Sequence, residues 1–337
     1  GNIKGAFLAD TDATNLVGSG ELVTNGTFDT NIAGWTASAT ASLSLDANRI
    51  KVTNTTASTS TASQAFPTVI GETYTATFEI ILGTSTNVIV QLGNSGAGGG
   101  QYGNVSGAGF GQNTFVALTT TTYITLLNGN GTNGGTCFFD NISVKLADAD
   151  RSVNNKGLVV NGTITRTAVA TGSELVGYSG FSTSNYLEQP YNSALDFGTG
   201  DFSVMGWVKR IGSSAQYIFE RSDVDGINRL YWYFETTGKL GSNAGLNGQT
   251  VVPVDKWTHV VLSRINGISN QYINGNLDSS INNTFNIKSD LSPSLLIGLR
   301  FSFNQQIGGI ALFRISATAP SAAQIAKIYR DELPLFQ

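Results

Sequence analysis

Many short apolar runs, punctuated by Gly and Asn, follow one another along the chain, and one of them alternates clearly with polar positions. In TYTATFEIIL, Tyr74, Ala76, Phe78, Ile80 and Leu82 share one face, while Thr73, Thr75, Thr77 and Glu79 take the other. That is the pattern of a strand with one face on a core. Similar short runs predict strands over 49–52, 87–92, 114–118, 122–127 and 137–146. A second series falls at 202–209, 216–221, 229–235, 257–265, 270–273, 294–297 and 307–315. The Asn-Gly pairs at Asn247, Asn266 and Asn274 suit tight hairpins, because both residues accept positive φ cheaply. A helical period appears once, in APSAAQIAKIYRDEL. Ser321 with Gln324 three residues later forms a capping-box pattern, and Ile325, Ile328 and Tyr329 make one apolar stripe. A helix over 321–333, docked on a sheet, is expected. The segment 93–113 is so rich in glycine that a long surface loop is expected there.

The expected fold class is all-β: two β-sandwich (jelly-roll) domains with one C-terminal helix. Length agrees, since 337 residues suffice for two cores. The division expected is an N-terminal arm or connector over 1–20, a first domain over 21–147 and a second over 148–337. The arm has no clear periodicity but carries Ile3, Phe7, Leu8, Leu16 and Val17. It is expected to pack on a neighbouring copy or on a region upstream. The opening GNIKGAFLAD has no initiator Met and no signal-peptide layout, so the chain reads as a piece of a longer polypeptide or a processed one.

Composition then narrows the chemistry. Charged residues are 12% of the chain, about half the usual share of about 25%. The net charge is −4 and no Lys/Arg run occurs, so no nucleic-acid partner is expected. No apolar stretch approaches the roughly 18 residues of a membrane span, so membrane insertion is not expected. Cys137 is the single cysteine, which excludes a disulfide framework within the chain and a cysteine metal cluster.

The order DFSVMGWVKR, DKWTHVVLSRINGISNQYINGNLD and GGIALFRISATAPSAAQIAKIYRDE resembles the laminin-G-like branch of the concanavalin A-like lectin/glucanase superfamily. The likeness runs through 148–337. The segments ELVTNGTFDTNIAGWTAS and CFFDNISVKL resemble a carbohydrate-binding-module jelly roll of the galactose-binding-like kind, over 21–147. That second resemblance implies a structural Ca²⁺ between the first and last strands, with Asp29 and Asp140 at the matching positions. Two carboxylates plus carbonyls could supply its oxygen ligands; alternatively both residues serve turns and strand ends. The pair of modules, with the linker ADADRSVNNKGLVVNGTI, resembles phage virion appendages of the tail-fibre type. The resemblance implies a non-enzymatic virion protein on the virion exterior, attaching to cell-surface glycan or to neighbouring virion subunits, and a homo-oligomer. The alternative is a secreted or cell-surface bacterial lectin or adhesin; a third reading is a glycan-active enzyme fragment.

Catalytic patterns are missing. The acidic run of the superfamily's glucanases does not occur; Glu220, Asp223 and Asp225 are the nearest set, and Asp-Val-Asp-Gly reads first as a turn. Glu220 and Glu235 lie near strand ends with nothing to pair them. His259, the only histidine, sits in a strand apolar on both faces, so a buried, hydrogen-bonded structural role is expected. No enzyme activity is expected. Sugar binding needs aromatic faces and planar polar groups. The candidates are Tyr102 in the first domain, with Phe110 beside it, and Tyr231, Tyr233, Arg300, Phe301 and Phe303 in the second, with Tyr186 and Tyr191 as further aromatics. Trp35, Trp207 and Trp257 match core positions of the resembled families.

Overall fold

The computed structural model describes residues 3–7, 16–17, 20–96, 99–148, 152, 154, 156–221, 230–243, 245–287, 293–300 and 307–337. The chain divides into two compact units. One is Ser19–Ala147; the other joins Gly1–Gly18 to Asp148–Gln337.

Ser19–Ala147 carries two antiparallel five-stranded sheets. The first runs Gly109–Val116, Thr73–Leu82, Thr136–Asp148, Arg49–Asn54, Ala41–Asp46. The second runs Thr36–Ala37, Ser60–Pro67, Thr121–Asn128, Val88–Gly93, Gly103–Ser106. Alternation places Tyr74, Ala76, Phe78 and Ile80 in the core as expected, with Val90, Leu126 and Phe139. Leu82, expected with them, is exposed because the strand ends there. Phe28 and Trp35 close this core, 5.7 Å apart.

The glycine-rich segment corrects the expectation of a loop, since it contains strands Gly103–Ser106 and Gly109–Val116. Gly111 lies directly opposite Phe78, where a Cβ would stand 2.3 Å from the Phe78 ring. The ring fills the space the missing side chain leaves, so glycine here permits pairing and does not break it.

The larger unit is a second sandwich. Its larger sheet runs Leu16–Val17, Thr163–Ala168, Val176–Ser179, Gly309–Ser316, Phe202–Lys209, Trp257–Ile265, Ile268–Ile273, Asn276–Asn282. Its smaller sheet runs Leu158–Asn161, Tyr186–Gln189, Leu295–Ile297, Gln216–Arg221, Leu230–Phe234, Leu240–Ser242. Phe219 meets Phe313 edge-on across the core at 6.0 Å. The hairpin turns Asn266-Gly267 and Asn274-Gly275 have positive φ at both residues, whereas Asn247-Gly248 has it at neither.

The arm also departs from expectation. Ile3–Phe7 pairs antiparallel with Gly309–Ser316 of its own chain, and Leu16–Val17 with Thr163–Ala168. Phe7 is buried, stacked on Phe313 at 6.4 Å, while Ile3 stays exposed. Leu8 lies outside the described residues. Chain-internal strand pairing thus takes up the backbone of Ile3–Phe7 and Leu16–Val17, parts of the arm expected to pack on a neighbouring copy or on a region upstream.

The helix Ala322–Glu332 forms where the stripe predicts it. Both halves of the capping box are made, Gln324 N to Ser321 Oγ and Ser321 N to Gln324 Oε1. Ile325 is fully buried against Met205, Val261 and Tyr272. Such burial contributes about 2 kcal/mol. Tyr329 and Phe336 stack on Trp207 at 5.8 and 4.1 Å.

Candidate functional site

The outward face of the smaller sheet gathers three tyrosines. Tyr217 pairs with Tyr233, Phe219 with Trp232 and Glu220 with Tyr231, and the register shifts between Tyr217 and Phe219. Strict alternation would put Tyr217 and Glu220, three residues apart, on opposite faces. The extra residue at the shift turns both toward the face of Tyr231 and Tyr233, and sends Phe219 and Trp232 into the core. Opposite Tyr233 stands Gly241, where a Cβ would lie 2.8 Å from the tyrosine ring, so the ring lies across bare backbone.

Tyr217 and Tyr233 stack at 5.1 Å, and Tyr231 lies 5.8 Å from each. The Arg300 guanidinium stands 5.0 Å from the Tyr217 ring centre and 4.5 Å from that of Tyr231. It donates to the Tyr217 hydroxyl, and its Nε is 3.7 Å from the Glu220 carboxylate. Tyr217 and Glu220 are buried; Tyr231, Tyr233 and Arg300 are half-buried and reach the surface. Burial, then the negative Glu235, raises the Tyr233 phenol above its ordinary range, so the ring is neutral at physiological pH. Flat rings, hydroxyls and a planar guanidinium share one face. They can take the C–H face of a ring while donating to its substituents.

Of the sequence candidates, the structure brings together Arg300, Tyr231 and Tyr233. Tyr217 was missed, because its place on this face depends on the register shift. Phe301 and Phe303 lie outside the described residues, as do Asp223 and Asp225. Tyr102 belongs to the other unit. Its ring stacks on Phe115 at 4.9 Å, and its hydroxyl accepts from Leu118 N at 3.0 Å, so it braces a turn. Tyr191 donates to Asp196 at 2.9 Å. Phe110 is exposed on strand Gly109–Val116. Glu188, Leu296 and Glu220 form one row across three strands of the smaller sheet.

The match to known proteins falls on this unit. Residues 181–326 match the model of the concanavalin A-like lectin/glucanases superfamily. No curated protein matches the sequence. Among solved structures, the chain is similar to domain 4 of AbnA, a GH43 extracellular arabinanase from Geobacillus stearothermophilus, in complex with arabinotriose. Identity is 19% and the TM-score 0.42, over 54% of this chain and 92% of that one. It is also similar to the receptor binding domain of botulinum neurotoxin D, at 15% identity and TM-score 0.41, over 56% and 50%. For the binding domain of Paraclostridial Mosquitocidal Protein 1 the figures are 16% and 0.41, over 55% and 49%. The chain spans about half the length of these two toxin domains.

In the concanavalin A-like unit, His259 is fully buried on the helix side of the larger sheet, 5.5 Å from the Trp207 ring and 6.1 Å from Tyr329. The expected hydrogen bond is absent: neither ring nitrogen has a partner among the described residues. Burial, and then the Arg314 charge, lowers its pKa to about 3. It is a neutral packing residue, with no geometry for proton transfer to a ligand.

In Ser19–Ala147, the Asp29 charge acts on the Asp140 carboxyl. Burial, and the charges of Glu79 and Asp29, raise the Asp140 carboxyl above its ordinary range, against the Asn141 N–H and Arg49. The Asp29 carboxylate accepts from Thr27 at 2.7 Å, and Asp140 from Asn141 N at 2.7 Å. Among the described residues no group of three or more His, Cys, Asp or Glu side chains could hold a metal ion. Any ion at this place would need backbone oxygens beside the two carboxylates.

Proposed function

We propose that this chain is a non-enzymatic glycan-binding protein, and that the surface of Tyr217, Tyr231, Tyr233 and Arg300 receives the sugar. One observation carries the reading: a single guanidinium, ion-paired to buried Glu220, spans the rings of buried Tyr217 and half-buried Tyr231, so that Tyr231, Tyr233 and Arg300 itself reach the surface on a fixed base. Sugars offer C–H faces for the rings and hydroxyls for the planar donors. The biological setting proposed is a virion appendage of the tail-fibre type, on the virion exterior, attaching to host-surface glycan or to neighbouring subunits as a homo-oligomer. The order of a carbohydrate-module-like unit and a laminin-G-like unit supports this, as does the low charge. A secreted or cell-surface lectin or adhesin is the alternative.

A glycan array probed with the full chain tests the binding. Tyr231→Ala and Arg300→Lys, which keeps a cation beside buried Glu220 but loses the planar guanidinium, should each weaken the strongest hit at least about tenfold, which is about 1.4 kcal/mol, with the native fold retained by circular dichroism. Undiminished binding in both variants overturns the reading. Cleavage is the competing function, and the row of Glu188, Leu296 and Glu220 is what favours it. Two strand spacings place those carboxylates' strands about 10 Å apart, near the separation of inverting glycosidases. Release of new reducing ends from the bound glycan, abolished by Glu220→Gln, would establish that alternative.

A structural Ca²⁺ held by Asp29 and Asp140 is proposed as well. An ion bound only by the native fold stabilises that fold. EDTA should therefore lower the melting temperature of the intact chain's Ser19–Ala147 transition, and Asp140→Ala should remove the difference. Identical melting with and without EDTA leaves the two carboxylates as turn residues.

A further inference from the structure

At one end of the larger sheet of the concanavalin A-like unit is a cavity of about 240 Å³ that shares no residue with the tyrosine surface. It is smaller than the roughly 300–1,000 Å³ of drug-sized sites, so it has room for one ring and not for an oligosaccharide. Trp257 forms a wall. Two glycines admit its indole edge: a Cβ at Gly177 or at Gly309 would stand 2.8 Å from the ring. The Lys209 ammonium lies 5.6 Å from the centre of that ring. Asp255 is held at the cavity with φ 57°, its N–H bonded to Arg210 O at 2.8 Å. Left-handed backbone is uncommon outside glycine, and aspartate and asparagine tolerate it best.

Thr167, Ser179, Lys209 and Asp255 all line this cavity. Among the described residues none of the four side chains has a hydrogen-bond partner, and Lys209 and Asp255 do not pair with one another. An ammonium donor, a carboxylate acceptor and two hydroxyls therefore converge beside an indole edge with their bonding capacity open. Two adjacent hydroxyls, one donating and one accepting, satisfy that acceptor and donor together.

We infer that this cavity is a second site, binding a single pyranose ring with a vicinal diol between Asp255 and Lys209 and a C–H edge on Trp257. The inference takes its ligand class from the proposed glycan binding but stands on different residues. Saturation-transfer NMR on the full chain tests it, with methyl α-D-gluco-, galacto- and mannopyranoside as probes. At least one should bind. Asp255→Asn, which keeps the positive φ, and Lys209→Met, which keeps the stem over the indole, should each weaken it at least about tenfold at unchanged melting temperature. Tyr231→Ala should leave it unchanged. No binding of any of the three glycosides overturns the inference, and so does binding that survives Asp255→Asn. Binding lost in Tyr231→Ala but kept in Asp255→Asn removes this site and leaves the tyrosine surface standing. Loss in Asp255→Asn alone supports this site, whatever the glycan array shows.

Discussion

His259→Leu should make the concanavalin A-like unit much less sensitive to acid. In the folded protein the imidazole titrates at about 3, against 6.5 when free. Below pH 6.5 the unfolded chain takes up a proton that the folded chain refuses, so stability falls as pH drops from 6.5 towards 3 and is untouched above that window. Each unit is worth about 1.4 kcal/mol, so the loss attributable to His259 is about 3 kcal/mol by about pH 4.5. The charged groups facing it make protonation no easier. Arg314, on the same face of the larger sheet, is positive, and Glu332 of the helix is committed to Arg314 at 2.7 Å and to Trp207 Nε1 at 2.8 Å. At neutral pH the leucine replaces two partnerless ring nitrogens with apolar atoms of similar volume, so stability should hold or rise by about 1 kcal/mol. Urea unfolding followed by tryptophan emission reads this unit, because Trp207, Trp232 and Trp257 lie in it and only Trp35 lies in the other. Parallel pH dependence in wild type and variant would refute the assignment.

Arg264→Leu should cost more at neutral pH, on the order of 4 kcal/mol. Arg264 is almost fully buried, and its guanidinium stacks on Phe202 at 5.1 Å. Its Nε donates to Gly200 O at 2.8 Å, Nη2 to Gly198 O at 2.7 Å, and Nη1 to Phe285 O. These three carbonyls belong to loops joined by the Gly198–Ile287 bridge. Leucine fills part of the volume but leaves all three carbonyls without that donor. A midpoint in urea close to wild type would mean that water replaces the guanidinium without loss.

What the sequence determined by itself is local. Period-two alternation marks Thr73–Leu82, and a short apolar run marks Phe202–Lys209, each with the bounds that the strands have. Ser321, Gln324 and the Ile325 stripe specify where the helix starts and which face it buries. Asn266-Gly267 and Asn274-Gly275 mark hairpins because their backbone demand is met within two residues. Arg300, Tyr231 and Tyr233 could be nominated from residue type, as aromatic and planar polar groups suited to a sugar. Only the tertiary structure decided the rest, because each such feature depends on what stands across a strand. Gly111 pairs as a strand residue since Phe78 covers it, and the arm is a strand since Gly309–Ser316 offers it an edge. Tyr217 joins the platform since one extra residue shifts the register beside Leu230–Phe234. Trp257 reads as core by pattern, yet its neighbours Gly177 and Gly309 lack side chains and seat its ring at a cavity wall. His259 is buried as its strand foretells. That neither ring nitrogen finds a partner among the described residues was settled by Trp207, Tyr329 and Arg314, which arrive from elements distant in the chain.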